Sequence, residues 1–283
     1  MKKIITAIVA RIIIYPLAIG VLFSLYIFIL YIFPKRSVSP FTPKQWAMEY
    51  QDVAFTTRDG LKLKGWFIPN KKSNKVIIVC HGYPMDKGDV LGVTEFFARG
   101  YNLLYFDFRA MGKSQGRIST SGWREKEDFL SAVRFLKAKG FSDIGAFGFS
   151  MGGAAIFLAN SPDIKCIVSD SSYAALEAAV KVIFKNFGFL QDPLIKMVNL
   201  WARLFLRFDL NSAAPVKYIA GMKIPILLIH CQTDTHIPFT QALQLHQANP
   251  QSQLLLIREG DHGESVLSAE YEPRILKFFR DNL

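Results

Sequence analysis

From residue 50 onward the chain alternates short apolar runs rich in Val, Ile and Leu with stretches of helical spacing, and few folds accept that rhythm. The runs fall at 76–80 (VIIVC), 103–108 (LLYFDF), 144–149, 164–169 (IKCIVS), 224–230 (IPILLIH) and 254–257. Strands that are apolar on both sides need cover on both faces, which is the condition of a parallel sheet wrapped by helices. The clearest intervening helix spans 123–139, where Phe129, Ala132, Val133, Phe135 and Leu136 form an i, i+3, i+4 stripe and Gly140 stops it. Ahead of the first run, residues 53–69 read as a hairpin turned at Arg58-Asp59-Gly60. The expectation is an α/β fold with a mostly parallel sheet of about eight strands, helices on both faces and an antiparallel hairpin at one edge.

The first 36 residues are of another kind. Residues 12–33 form a run of 22 without a charge, about 33 Å as a helix against a hydrocarbon core of about 30 Å. A cleaved signal peptide would carry a shorter apolar core, roughly 7–15 residues. Its small-residue stretch here, Ser37-Val38-Ser39, would be followed by Pro40. The reading is therefore an uncleaved single-span anchor over 1–36, a linker over 37–50 and one large domain over 51–283. Orientation is undecided, because Lys2, Lys3 and Arg11 before the span balance Lys35, Arg36 and Lys44 after it.

The formal net charge is +11, of which the first 36 residues supply five, leaving a modest basic excess that suits an anionic bilayer surface. No Lys/Arg cluster with interleaved aromatics lies on a recognisable nucleic-acid module, so nucleic acid is not an expected partner. Cys80, Cys166 and Cys231 lie in or at the end of apolar runs without C-x-x-C spacing and read as buried thiols.

Within this frame, GAFGFSMGG (145–153) sets Ser150 between Gly148 and Gly152 where a strand gives way to a helix beginning near Ala154. Such a sharp elbow lifts a hydroxyl above the carboxyl end of the sheet. A serine needs a base to become a nucleophile, and near neutral pH that base is histidine. His81 follows a strand, His230 reads as a core residue and His246 as a surface helix residue. His262 lies in EGDHG (259–263), a loop after the last strand, and spacing alone does not separate it from His236, which is also in a loop. Asp234, directly after the preceding strand, is the carboxylate expected to orient His262, with Asp170 the second choice. The Met151 N–H and an N–H of the turn at His81-Gly82-Tyr83-Pro84, by preference that of Tyr83, are the expected oxyanion donors.

HGYP (81–84), DFRAMGKS (107–114), GFSMGG (148–153), CQTDTHIP (231–238) and GDHG (260–263) stand in this order, and together they resemble the α/β-hydrolase superfamily over almost all of residues 50–283. Among its branches the chain is similar to the membrane-anchored, BEM46-like serine hydrolases. The resemblance implies hydrolysis of an ester, thioester or amide through an acyl-serine intermediate, with no metal or organic cofactor. It also implies that Asp107, Arg109 and Gly112 form a structural turn beside the site. Relatives often carry Arg-Gly-x-Gly where this chain has Arg109-Ala110-Met111-Gly112, so an altered local turn is expected there. The insertion at about 171–222, greasy and basic at once, falls where such folds carry a lid. A lipid-like acyl substrate is the leading expectation; a serine peptidase or amidase and a non-catalytic binding protein on the same fold are the alternatives.

Overall fold

The computed structural model describes residues 2–283, with side chains from Ala10 onward except Ile13. The side chains of Lys2 and Lys3, two of the charges flanking the apolar run, lie outside the described residues. Eight strands form one sheet: β1 (Gln51–Thr56), β2 (Lys62–Ile68), β3 (Lys75–Cys80), β4 (Asn102–Phe106), β5 (Asp143–Phe149), β6 (Ile164–Asp170), β7 (Ile226–Cys231) and β8 (Gln253–Ile257). Their order is β1-β2-β4-β3-β5-β6-β7-β8; β1 and β2 pair antiparallel, β2 joins β4 antiparallel, and β3 to β8 run parallel. This is the expected sheet, hairpin edge included.

The apolar runs are continuous because both faces are buried. Along β3, Val76, Ile78 and Cys80 point into one core and Ile77 and Val79 into the other. The first core is closed by α2 (Glu125–Ala138), through Phe129, Val133 and Leu136, and by α3 (Met151–Ala159). The second is closed by the C-terminal helix, Tyr271–Asn282, through Ile275, Phe278 and Phe279.

The turn after β4 sits beside the carboxyl ends of the strands. Asp107 there is fully buried and accepts from the Lys87 amide and ammonium at 2.9 and 2.7 Å and from Lys113 N at 2.8 Å. Gly112 adopts φ 48°, and a Cβ on it would strike the Asp107 carboxylate. Ala110, where relatives often have glycine, adopts φ 64°. A residue with a Cβ at this φ is strained by roughly 1–2 kcal/mol.

The N-terminal helix α1 spans Lys2–Ile32, with Pro16 inside it. It is the one helix among the described residues long and apolar enough to cross a bilayer, over Ala10–Ile32 with mean hydropathy 2.5. Its far end does not float free of the domain. Arg36 donates to the carbonyls of Gly112, Ser114 and Gly116 at 3.1, 2.6 and 2.9 Å, and Ser119 N–H donates to Ile32 O at 2.9 Å. Residues 37–50 are docked as well: Ser39 N–H donates to Asp86 Oδ2 at 2.9 Å, and Trp46, Met48 and Tyr50 pack on the second core.

The insertion forms α4 (Leu176–Ile183), α5 (Gln191–Leu206) and α6 (Pro215–Ile219). α4 and α5 build a third apolar cluster, which includes Phe28 of α1. All three cysteines are buried and unpaired.

Two outcomes follow. A guanidinium holding three carbonyls should be worth about 2 kcal/mol, so Arg36→Ala should lower thermal stability in detergent by that order, with Arg36→Lys recovering only part. His81, at the end of β3, is fully buried; its Nδ1–H donates to Gly82 O at 2.7 Å and its Nε2 accepts from Phe108 N–H at 3.0 Å. Burial lowers its pKa against the opposing pull of Asp107 and the Gly82 carbonyl. The unfolded chain therefore takes this proton first as pH falls, so the stability it contributes is full above about 6.5 and declines below. Between pH 7.5 and 5.5 the wild type should lose more unfolding free energy than His81→Gln, by at most about 1.4 kcal/mol per pH unit, read from denaturant melts; equal losses would contradict this.

Candidate active site

Ser150 stands between β5 and α3, and the helix starts at Met151, three residues earlier than the sequence pattern places it. Its backbone lies at φ 52°, ψ −117°. The flanking glycines exist because there is no room beside them. A Cβ on Gly148 would sit on the backbone of Gly153, and one on Gly152 would lie 2.5 and 2.7 Å from the carbonyl oxygens of Cys80 and His81. The elbow is tied down by Ser150 N–H donating to Asp170 O at 2.8 Å and by Ser172 Oγ donating to Ser150 O at 2.7 Å.

Three of the expected residues meet. Ser150 Oγ is 3.0 Å from His262 Nε2, and His262 Nδ1 is 2.7 Å from Asp234 Oδ2. This network assigns the proton on Nδ1 and leaves Nε2 to accept from the hydroxyl. The His262 ring rests on Phe149, centroids 5.0 Å apart. Asp234 Oδ1 accepts from His236 N–H at 2.9 Å and Ile237 N–H at 2.7 Å. Burial alone would raise the Asp234 carboxyl. Hydrogen bonds from His230 and His262 and the Ile237 N–H outweigh that and hold it well below the usual carboxylate range. A hydroxyl, an imidazole and an ionised carboxylate linked in this order can move a proton off the oxygen as it attacks and return it to a leaving group.

The remaining candidates stand elsewhere. Asp170 is buried and accepts from Ser171, Ser265 and Tyr271, while His262 Nδ1 is bonded to Asp234. His246 bonds Ser252 at 2.9 Å. His236 is exposed, its ring 5.5 Å from that of His262, and lies 3.6 Å from Asp261. Asp261 Oδ1 accepts from the N–H groups of Thr235 and His262, both at 2.8 Å, and so braces the loop instead of the ring. Asp234, His236 and Asp261 bring possible ligand atoms within 4.8 Å of one another. Their carboxylates already serve as acceptors for backbone N–H groups, so a cation there would compete with the loop's own anchors.

Neither the Met151 nor the Tyr83 N–H donates to a described residue. Both residues line, with Ser150 and His262, a cavity of about 500 Å³, within the range of roughly 300–1,000 Å³ usual for small-molecule sites. Burial pushes the Tyr83 hydroxyl up to about 12, so it stays a donor, to Tyr31 O at 2.9 Å.

Two features escaped the sequence reading. His230 is the buried, hydrogen-bonded core residue its apolar run indicates, with Nε2 2.7 Å from Ile237 O and 3.3 Å from Asp234 Oδ2; what escaped is that it supports the carboxylate loop. Its place four residues before Asp234, across the end of β7, was the available signal. The second is the far wall of the cavity, where Ile27, Phe28, Tyr31 and Ile32 of α1 face Leu176 and Ala202 of the insertion. Ser24, the serine in the apolar run, was the one hint: it accepts from Trp201 Nε1 at 3.0 Å.

Comparison with known proteins gives a concordant picture. A family model for the alpha/beta hydrolase fold matches residues 75–213. The chain is 28% identical over 270 residues to the uncharacterized protein YfhR of Escherichia coli K12, covering 86% of each. It is 21% identical over 245 residues to an uncharacterized membrane protein of Saccharomyces cerevisiae, covering 81% of this chain and 79% of that one. A solved esterase of Pyrococcus furiosus superposes with TM-score 0.74 at 31% identity, covering 89% of this chain and 98% of the other. The chain belongs to the α/β-hydrolase family, and its activity class is that of a hydrolase.

Proposed function

We propose that the chain is a membrane-anchored serine hydrolase that cleaves a carboxylic ester or thioester of a lipid-like acyl substrate. The observation that carries this reading is the unbroken run of hydrogen bonds from Ser150 Oγ through His262 to Asp234, set at the edge of an apolar cavity. The likeness to an esterase of 31% identity supports ester chemistry. The apolar span of α1 and the yeast membrane relative support the anchor.

In this mechanism Ser150 Oγ attacks the acyl carbonyl while His262 Nε2 takes its proton. Asp234 stabilises the imidazolium that forms. The N–H groups of Met151 and Tyr83 receive the developing oxyanion. His262 then protonates the departing alcohol or thiol, leaving an acyl-serine. A water molecule, deprotonated by the same imidazole, releases the acid and regenerates the hydroxyl. No step calls for a metal or organic cofactor.

A fluorophosphonate probe phosphonylates activated serines, so the wild type should label while Ser150→Ala and His262→Ala do not. Asp234→Asn should lower kcat/KM for a p-nitrophenyl ester by about 10³–10⁴-fold. Asp170→Asn should keep activity within a few-fold and show its cost in thermal stability. Wild-type turnover by Asp234→Asn, or labelling of Ser150→Ala, would overturn the assignment.

A further inference from the structure

We infer that the anchor helix is also a working wall of the acyl pocket, and that its last two turns set which chain lengths reach Ser150. This rests on the hydrolase reading for the substrate, while the geometry stands on α1 alone. Helix termini leave their last carbonyls without intrahelical partners, and here the loops beside the site supply them. Tyr83 Oη donates to Tyr31 O at 2.9 Å and Ser119 N–H to Ile32 O at 2.9 Å. The Tyr31 and Tyr83 rings stack at 6.2 Å. The end of the helix is therefore bonded to the same turn whose N–H is the proposed second oxyanion donor.

One side of α1 is then committed to the domain. Ser24 is fully buried and Phe28 is 4% exposed. Phe23 packs on Phe184 and Phe187 of the insertion, and Phe28 on Phe205 of α5. The other side is open: Leu22 is 65% and Leu30 51% exposed, as suits a lipid-facing stripe. Between α1 and the insertion lies the cavity that begins at Ser150 and His262. Its walls there, Ile27, Phe28, Ile32, Leu176 and Ala202, offer an alkyl chain apolar contact, with Lys185 the charged side chain that also lines the cavity. A substrate with its carbonyl at Ser150 would lay its chain against the membrane helix itself. A simple tether would leave the pocket indifferent to which apolar residues it contained.

The test uses the full-length protein in phospholipid nanodiscs, with p-nitrophenyl esters of four, eight, twelve and sixteen carbons. Ile32→Trp should lower kcat/KM for the twelve- and sixteen-carbon esters about tenfold, the order a misfitting methylene group costs in an apolar pocket, and leave the four-carbon ester within about twofold. Phe28→Ala should move the optimum to longer chains. Leu22→Trp and Leu30→Trp, on the lipid side of the same helix, should keep the wild-type profile. Binding of dansyl-undecanoate, corrected with empty nanodiscs, gives a readout independent of turnover, and Ile32→Trp should weaken it while Leu30→Trp does not. Hydrolysis with a profile blind to Ile32→Trp, or an equal loss at all four lengths, overturns this inference and leaves the hydrolase reading standing. Absent hydrolysis and probe labelling, with binding that still depends on Ile32, overturns the hydrolase reading and leaves the pocket wall standing.

Discussion

The geometry of the site hangs on the backbone of Ser150, held at φ 52°, where a residue with a Cβ is strained by roughly 1–3 kcal/mol. The surroundings over-determine that conformation. The amide is taken by Asp170 O and the carbonyl by Ser172 Oγ and Ala154 N–H. The strand and helix pass so close that Gly148 and Gly152 have no space for a side chain. Relaxing the turn would carry Oγ away from His262 Nε2, so the strain is what holds the hydroxyl above the strand ends. The partners come from the same edge of the sheet, Asp234 after β7 and His262 after β8. Parallel strands place all their carboxyl ends together, which is why residues 28 and 112 positions apart in the chain meet within hydrogen-bond distance.

The second constraint is the fate of polar groups in an apolar helix. Where α1 reaches the domain, its terminal carbonyls are satisfied by Tyr83 and Ser119, and the Ser24 hydroxyl donates to Val21 O and accepts from Trp201 Nε1. Unmet polar groups cost most in a low-dielectric surrounding, so these contacts fix the helix against the insertion. The helix α1, the helices of the insertion and the pocket thereby become one packed unit. Arg36, which as a sequence feature is only a flanking charge, closes the unit by bonding three carbonyls of the turn after β4.

Much of this was legible in the sequence for physical reasons. A strand buried on both faces has to be apolar throughout, so β3 through β7 announce themselves as runs, while β8 is only half-buried. A turn with no room for Cβ has to use glycine, which marks the elbow at Gly148 and Gly152. A histidine and an acid placed after successive strands of a parallel sheet have to emerge at one edge, so Ser150, Asp234 and His262 could be named together. The start of α3 was less legible, because Met151, Gly152 and Gly153 look like turn residues until the elbow is seen to launch the helix directly.

What the sequence by itself determined is therefore the set of local necessities: periodicity, close approaches, and order along a sheet whose strand direction is known. What only the tertiary structure decided is pairing between segments that share no register. Ser24 meets Trp201 across 177 residues, residues 37–50 dock on the second core although they read as a linker, and the last turns of α1 complete a cavity built by the insertion. Each of these contacts is made by ordinary apolar or hydroxyl side chains. Such groups carry no spacing rule, and their partner is set by which surfaces remain uncovered once the sheet has formed.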